Sequence, residues 1–265
     1  MNQPAEKPPS RSGVQSIEVG MHILKTLAAA GTDLSLNQIS ERSGIHPSKI
    51  HRYLVSLGNT GLVKKTAHGR YDLGPYVLEL GVNYLSRLDP SAIALPVMEE
   101  LRGQTEEGII LNVWGDSGST VIRWYQSRHP ISVGIRPGAT FLTTMSASGR
   151  VFLAWLPEHE TRPVVEAELR RLEQEGHPQR PKSLEEIERI KQETRERGLA
   201  RVDGHSVKGI AALAAPIFDY RGEISLTLAL FGFSSSFDAD WDGRNARLLK
   251  AAAEKISRQS GWVSP

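Results

Sequence analysis

Apolar residues near the start of the chain recur with the period of an α-helix. At steps of four, three and three, they are Ile17, Met21, Leu24 and Leu27. This spacing places the four side chains on one face and predicts an amphipathic helix that begins near Val14. We expect the helix to end at Gly31, because glycine adopts a left-handed C-cap without steric cost.

A second periodic stretch, residues 34–59, predicts two helices joined by a sharp turn. Ser35 and Gln38 have the spacing of a capping box at the start of the first helix. Gly44 permits the turn, and Pro47 is favoured at the first position of the next helix. The expected buried stripe of that second helix is Ile50, Tyr53, Leu54 and Leu57. Its outward polar positions are then Ser48, Lys49, His51, Arg52 and Ser56.

A short hairpin with a basic loop follows this helix pair. Two predicted strands, 62–63 and 70–73, flank the loop, and the basic side chains here are Lys64, Lys65, His68 and Arg70. Two helices followed by such a wing are typical of a winged helix-turn-helix, whose second helix reads the major groove with polar and basic side chains. We therefore predict that the outward helix positions and the wing residues contact double-stranded DNA. An ordinary solvated helix surface is the alternative interpretation.

The rest of the chain mixes helical and strand-like patterns. Helical periodicity covers 76–90 and continues past 91, charge-rich helices are expected within 158–198, and a last helix is expected over 240–258. Strand-like apolar runs lie at 109–114, 120–127, 130–135, 211–218 and 223–233. This order predicts an α+β fold in which the second domain has a central antiparallel sheet. The expected divisions are a flexible tail (1–13), a winged helix-turn-helix (14–75), a linker helix (76–90) and the second domain (91–265).

The residues Gly115-Asp116-Ser117-Gly118 allow two interpretations. They have the composition of a hairpin turn between two strands. The same four residues also surround the nucleophile of trypsin-like proteases. A protease would need a histidine and an aspartate placed upstream in a double β-barrel, whereas the preceding residues have helical patterns. We therefore expect a turn.

The composition is that of an ordinary globular protein, with 39% hydrophobic and 23% charged residues. No apolar run approaches the ~20 residues of a membrane span. The absence of cysteine excludes disulfides and thiolate sites and fits a cytoplasmic location. The net charge of +2 is uneven: residues 1–75 hold nine cations and five anions, which leaves −2 for the remainder. The basic charge of residues 1–75, next to a slightly acidic remainder, suits contact of this N-terminal region with nucleic acid.

An enzymatic function has little support in the sequence. It contains no phosphate-binding glycine loop, no dinucleotide fingerprint and no cluster of metal-ligating histidines. We therefore expect no cofactor and no metal. Catalysis would have to depend on His129 or His205, neither of which has an evident partner.

Several blocks along nearly the whole chain resemble the IclR family of bacterial transcription regulators. They are VQSIEVGMHILKTL, LSLNQISERSGIHPSKIHRYLVSLGNTGLVKK, GRYDLGPYVLELG, RPGATFLTTMSASGRVFLAWLP and KGIAALAAPIFDYRGEISLTLALFG. The resemblance implies a winged helix-turn-helix, a linker helix and a GAF-like effector-binding domain. It also implies dimers or tetramers on palindromic operators, and a small organic effector. Ser48 and Arg52 match the family's recognition helix, whereas Lys49 stands where threonine is usual.

The resemblance also indicates an effector pocket, whose residues differ from those of relatives that sense small polar acids. A small-residue loop, Ser146 to Ser148, should supply backbone amides, with Ala147 between them. Four positions that are polar in those relatives are apolar here: Val202, Ala212, Ala229 and Phe231. The adjacent Asp203 leaves a one-residue shift open at the first of these. Because burying a small carboxylate without polar partners is costly, we predict an aromatic compound or aromatic acid as effector.

Aromatic and adaptable side chains expected around that effector are Trp114, Tyr125, Phe141 and Met145. Strand alternation sends Trp124 and Tyr125 to opposite faces, so only one of these two is expected to line the pocket. Two alternatives stay open. The regulator could sense a small aliphatic oxo or hydroxy acid, or it could be a constitutive DNA-binding repressor whose second domain only oligomerises.

Overall fold

The computed structural model describes residues 13–128, 135–204 and 207–263. The chain divides into two compact units, the first ending at Leu88 and the second beginning at Asp89. The fold is α+β as predicted, with a helix-turn-helix in the first unit and a five-stranded antiparallel sheet in the second. Across the described ranges, none of the helices combines the length and the hydropathy needed to cross a membrane.

The first unit contains the three predicted helices and the hairpin, followed by a fourth helix. Its elements are α1 (Gln15–Ala30), α2 (Leu36–Ser43), α3 (Pro47–Asn59), β1 (Val63–Lys65), β2 (Tyr71–Leu73) and α4 (Pro75–Leu85). α1 ends at Gly31, whose φ of 64° lies in the left-handed region. The predicted capping box of Ser35 and Gln38 is formed in both directions. Gly44, with φ of 68°, makes the turn between α2 and α3.

The core of the first unit confirms the predicted stripe of α3 and corrects that of α1. Ile50 and Leu54 of α3 are fully or almost fully buried. On α1 the buried positions begin only at Gly20. Ile17 and Met21, predicted to share the buried face, are 65% and 47% exposed. The apolar face of α1 therefore extends towards the N-terminus beyond the part of the helix that packs on the core.

Helix α4 is apolar and yet has no buried residue among the described residues. It ends at Leu85, earlier than the linker helix predicted over 76–90. A separate helix, α5, starts at Pro90 because Asp89 caps it, accepting hydrogen bonds from the backbone N–H groups of Ser91 and Ala92.

The described residues of the second unit form five helices and five strands. They are α5 (Pro90–Thr105), β3 (Gly108–Gly115), β4 (Gly118–Tyr125), α6 (Ala147–Trp155), α7 (Glu158–Gln174), α8 (Leu184–Arg197), β5 (Ala200–Asp203), β6 (Ile210–Phe218), β7 (Ile224–Phe233) and α9 (Arg244–Gln259). The sheet order is β4-β3-β7-β6-β5, and all neighbouring strands are antiparallel. Residues 115–118 form the turn between β3 and β4, as expected.

The two faces of the sheet are covered by different helices. Odd-numbered residues of β3, such as Ile109 and Leu111, pack with α5 and α9. The even-numbered Ile110 belongs to the opposite cluster, together with Ala229 and α6 residues such as Val151. This alternation follows from the period of two along a strand. We call the second side of the sheet the α6 face.

Some elements differ from their predicted bounds. Strand β5 was not predicted, because its four residues have no clear apolar run. The strand-like run at 130–135 lies outside the described residues except for Ile135, which is buried. Helix α9 begins at Arg244, later than the predicted residue 240. The tail prediction for residues 1–13, and His129 and His205, also fall outside the described residues, apart from Gly13.

Candidate DNA-binding surface and effector cavity

Helix α3 begins at a cap formed by an imidazole ring. His46 Nδ1 accepts a hydrogen bond from the backbone N–H of Ser48 at 3.4 Å. The same Nδ1 lies 2.8 Å from Ser48 Oγ. Pro47, at the first helical position, has no N–H to satisfy. The start of α3 is therefore ordered by the contacts of His46 with Ser48, although both residues are exposed.

The predicted DNA-contacting residues of α3 lie on its solvent side. Ser48, His51, Arg52 and Ser56 are exposed, and Lys49 is half-buried. Ser48, Arg52 and Ser56 follow one another at steps of four, so they share one face of the helix. Ser56 Oγ donates to Arg52 O at 3.2 Å. This face can present hydroxyl and cationic groups to a duplex.

The hairpin β1–β2 holds two exposed lysines in weak contacts. Lys64 Nζ is 3.5 Å from Asp72 Oδ2, and both side chains are more than a third exposed. Lys65 Nζ lies 5.9 Å from the centre of the Tyr71 ring. His68 is exposed in the loop between the strands. Exposed ion pairs contribute little, so both lysines can exchange these contacts for phosphate oxygens.

Arg70, predicted to contact DNA from the wing, has a different position. Its Nε donates to Asp33 Oδ1 at 2.9 Å, and its Nη2 donates to Asp33 O at 2.7 Å and to Gln38 Oε1 at 3.0 Å. Thr66 Oγ1 donates to the other carboxylate oxygen of Asp33 at 3.1 Å. The guanidinium thus joins the hairpin to the segment between α1 and α2. The sequence did not show this, because Asp33 is distant along the chain.

The carboxylate of Asp33 is kept ionised by these contacts. Its pKa lies below its ordinary value, chiefly because Arg70 donates a hydrogen bond to it, and Thr66 adds to this effect. We name the group Asp33, Thr66 and Arg70 the wing clamp. The wing clamp fixes the hairpin against the helices that place α3.

A cavity opens on the α6 face of the second unit. The empty space between its walls and at its mouth is about 530 Å³. Its described lining residues are Ile110, Ile135, Phe141, Ser146, Ala147, Ser148, Val202, Val207, Ile210, Ala212, Ala229 and Phe231. Of these, Ser146 and Ser148 alone have polar side chains, and none is charged. Apolar walls with a few placed polar groups are typical of small-molecule sites.

Eight of the eleven predicted effector residues line this one cavity: Phe141, Ser146, Ala147, Ser148, Val202, Ala212, Ala229 and Phe231. They come from the loop before α6, from α6 itself, and from β5, β6 and β7. Register explains the grouping, because Val202 pairs with Ala212 and Ala212 pairs with Phe231 across three strands. Of the two residues considered for the polar-to-apolar exchange, Val202 lines the cavity, whereas Asp203 is not among its described lining residues.

Three predicted effector residues do not line the cavity. Tyr125 packs on the opposite face of the sheet, with its ring centre 5.8 Å from the Arg102 guanidinium. Trp114 lies against Phe152 of α6, at 5.6 Å between ring centres. Met145 is fully buried and is not among the described lining residues. Trp124 lies on the α6 face, opposite Tyr125 as alternation predicted, but it is not among the described lining residues.

Sequence reasoning missed four lining residues: Ile110, Ile135, Val207 and Ile210. Ile110 pairs with Trp124 only because the register shifts between Leu111 and Asn112; a regular hairpin from the turn at 115–118 would have placed it opposite Arg123. The other three lie at or beyond the ends of strands, where local pattern does not indicate which side chain turns inward.

The loop before α6 is held from two sides. Glu168 of α7 accepts hydrogen bonds from the backbone N–H groups of Thr143 and Thr144. Arg150 of α6 donates from Nε to Thr144 O at 3.1 Å and from Nη1 to Arg201 O at 3.0 Å. Burial lowers the pKa of Arg150 to about 10, so it stays charged at neutral pH. These contacts fix the two serines that border the cavity.

The two hydroxyls of the cavity have different partners. Ser146 caps α6, since its Oγ accepts from Gly149 N at 3.1 Å, which leaves its own proton free to donate. Ser148 Oγ is 3.4 Å from Asn112 Oδ1, and Asn112 Nδ2 donates to Ser119 Oγ at 3.1 Å. Among the described residues, no group of three or more histidines or carboxylates is placed to bind a metal ion.

Comparison with known proteins agrees with this arrangement. A model of the IclR helix-turn-helix domain matches residues 16–67, and a model of the C-terminal domain of the bacterial transcriptional regulator IclR matches residues 82–258. The crystal structure of Pseudomonas aeruginosa HmgR is 34% identical, with a TM-score of 0.85, and the match covers 95% of this chain and 100% of that one.

Two curated regulators are also similar over most of the chain. The HTH-type transcriptional regulator KipR of Bacillus subtilis (strain 168) is 26% identical, over 87% of this chain and 91% of its own length. The glycerol operon regulatory protein of Streptomyces coelicolor is 30% identical, over 82% of this chain and 85% of its own. The chain therefore belongs to the IclR family and is a DNA-binding transcription regulator, not an enzyme.

Proposed function

We propose that this regulator controls a catabolic pathway and that its effector is an aromatic compound or aromatic acid bound in the cavity on the α6 face. The observation that carries the proposal is the described lining, which is apolar except for two adjacent hydroxyls. A ring would contact the alanine, valine and phenylalanine side chains of the strands. Its oxygen substituent would face Ser146 and Ser148 at the start of α6.

A small aliphatic oxo acid suits this lining less well. Such a molecule consists of charged and polar groups on two or three carbons, and the described walls offer no charged partner. Burial of an unpaired carboxylate costs several kcal/mol. An aromatic acid differs, because ring burial contributes roughly 25 cal/mol per Å² of apolar area. Its carboxylate can also lie at the positive end of α6.

A purely oligomerising second domain is the other alternative. The core of such a domain would be filled, since protein interiors are normally packed with few voids larger than a water molecule. The cavity among Ala212, Ala229 and Phe231 supports a sensing role. The small alanine side chains on this face of the sheet leave room that larger side chains would fill.

We further propose that the solvent side of α3 and the wing contact a palindromic operator, with the chain acting as a homodimer or tetramer. The proposed contacts are Ser48, Lys49, His51, Arg52, Ser56, Lys64, Lys65 and His68. Each lysine or arginine on a phosphate would release counterions and make affinity depend on salt. Arg70 would contribute through Nη1, because its Nε and Nη2 already donate to Asp33 and Gln38.

Isothermal titration of the full chain tests the effector class. The probes are p-cresol, benzoate and phenylacetate on one side, and glyoxylate and pyruvate on the other. We expect at least one aromatic probe to bind, and Ala212→Leu, which fills the cavity, to weaken it at least tenfold. Ala92→Leu, at an exposed position of α5, is the matched control and should leave probe binding unchanged. Tight binding of glyoxylate or pyruvate, with no aromatic binding, would contradict the proposal.

A further inference from the structure

The cap of α3 determines where the proton of His46 lies. A backbone N–H can only donate, so the Nδ1 atom that accepts from Ser48 N must carry a lone pair. In a neutral imidazole the proton is then on Nε2, on the other side of the ring. His46 is exposed, so this N–H faces away from the helix end into solvent.

The same contact changes what Ser48 can offer to a ligand. Its Oγ is 2.8 Å from His46 Nδ1, which has no proton to give, so the hydroxyl is the donor in that bond. Ser48 Oγ therefore presents only lone pairs outward. The outward donor at the start of α3 is the Nε2–H of His46, not the serine hydroxyl.

Histidine is also an unusual choice for a cap. Serine, threonine, aspartate and asparagine satisfy the first amides of a helix with short side chains. The side chains of serine, threonine and aspartate have no N–H group, and only that of asparagine could present one outward. In an imidazole ring, Nδ1 can accept from the helix amide while the Nε2–H donor lies further from the backbone. On the second helix of a helix-turn-helix, this is the end that enters the major groove.

We propose that His46 is a DNA-contacting residue, which donates from Nε2 to a hydrogen-bond acceptor of the duplex while Nδ1 caps α3. The acceptor is a base edge or a phosphate oxygen. The inference rests on the proposed role of α3 as the recognition helix. It adds a residue that differs in kind from the cationic contacts, since a neutral donor releases no counterion.

Two variants separate capping from DNA contact. His46→Ser keeps a good cap and removes the outward donor, whereas His46→Asn keeps both, because Oδ1 can cap while the amide NH₂ faces outward. Binding is measured by fluorescence anisotropy at pH 8, on a duplex that the wild-type chain selects from a random-sequence pool. We expect His46→Ser to bind about three- to tenfold more weakly, the range of one neutral hydrogen bond. We expect His46→Asn, whose amide donor reaches less far than Nε2 of the imidazole, to lose less affinity than His46→Ser.

Two further measurements, the salt dependence of affinity and the affinity for a scrambled duplex, show what kind of group accepts the hydrogen bond. The slope of log affinity against log salt should be the same for His46→Ser and the wild type, whereas Lys64→Ala should lower it by about one phosphate. A loss on the selected duplex alone assigns the acceptor to a base. An equal loss on a scrambled duplex assigns it to a phosphate. Either result supports the proposal.

His46→Ser binding as tightly as the wild type would overturn the inference, and so would a loss in His46→Asn as large as that in His46→Ser. Arg52→Ala distinguishes this failure from failure of the proposed function. If Arg52→Ala loses affinity while His46→Ser does not, α3 remains the recognition helix and His46 is only a cap. If Arg52→Ala also binds normally, the placement of α3 itself is wrong. Thermal melting of each variant checks that the first unit is folded.

Discussion

At the scale of single residues, Asp33 is the carboxylate that holds the wing to the helices of the first unit. Both of its oxygens accept hydrogen bonds, one from Arg70 and one from Thr66. Arg70 also reaches the backbone of Asp33 and the side chain of Gln38. Since Gln38 belongs to the capping box of α2, the wing clamp connects the hairpin with the start of the helix-turn-helix.

Because of the wing clamp, we expect the stability of the first unit to depend on pH. The pKa of Asp33 is lowered in the folded chain, first by the hydrogen bond from Arg70. A carboxylate with a lowered folded pKa contributes stability that is complete above its unfolded pKa and is lost as pH falls through the folded value. We therefore predict that Asp33→Asn lowers the melting temperature of the first unit at pH 7, and that the difference from the wild type shrinks below about pH 4. Calorimetry across this range measures it.

A control for this prediction is Asp72→Asn, which removes only the exposed partner of Lys64. It should change the melting temperature little at any pH. A difference between Asp33→Asn and the wild type that stays constant from pH 7 to pH 3 would contradict the assigned role of the carboxylate.

Residue types alone did not determine the protein partners of Arg70 or the face of the sheet on which Tyr125 lies. A basic residue on a wing can face phosphate or protein, and the choice depends on Asp33, which lies far away in sequence. Tyr125 and Trp124 were expected on opposite faces, and they are. Which of the two faces the cavity depends on the register of β3 and β4, which has an irregularity between Leu111 and Asn112. Such a shift is not visible in an alternating pattern.

At the scale of elements, α6 and the loop before it form one wall of the cavity. Gly149 is where they approach most closely. A Cβ added at this glycine would lie 2.2 Å from Thr143 O and 2.5 Å from Thr143 Cα. Small residues at such a place can serve close packing or ligand contact. The structure has both, because Gly149 packs on Thr143 while Ala147 and Ser148 line the cavity.

Replacing Gly149 should therefore be costly. We predict that Gly149→Ala destabilises the second unit by about 1–3 kcal/mol, the usual range for overpacking. Gly103→Ala is the matched control, since a Cβ there meets nothing within 4 Å. It should stabilise α5 by roughly 0.5 kcal/mol through helix propensity. Urea unfolding of both variants measures the two changes, and equal stabilities would refute the packing assignment.

Helix α4 is an apolar element that has no buried residue in the part of the chain that the structure describes. Its exposed apolar side chains include Leu78, which is 71% exposed, and Val82 and Tyr84, each 55% exposed. Ile17 and Met21 of α1 are exposed in the same unit. Large apolar surface on a folded domain is typical of an interaction site, and a second copy is the partner that the proposed palindromic operator would require.

We predict that Leu78→Asp weakens self-association without unfolding the chain, because the side chain is exposed in the single copy. Leu184→Asp, at an exposed leucine of α8, is the control for adding the same charge elsewhere. Sedimentation velocity should show a shift towards monomer for Leu78→Asp only. Two variants with the wild-type distribution would exclude α4 from the oligomer interface.

At the scale of the whole molecule, the chain combines a DNA-binding unit with a unit that contains a cavity. The sequence predicted the order of these units and most elements of each, because helix caps, alternation and turn glycines are local signals. It could not predict the cavity's full lining, which depends on strand pairing and on chain segments beyond the strand ends. A ligand can regulate DNA binding only if it binds two states of the protein with different affinity.

The measurement that tests this account most directly is operator affinity with and without the aromatic probe that binds best. Anisotropy on the selected duplex should show a change of about five- to 150-fold in Kd at saturating probe, the usual range of allosteric coupling. Ala212→Leu should bind the duplex normally and lose this response. An operator Kd that is the same with and without saturating probe would contradict the central claim that the cavity controls DNA binding.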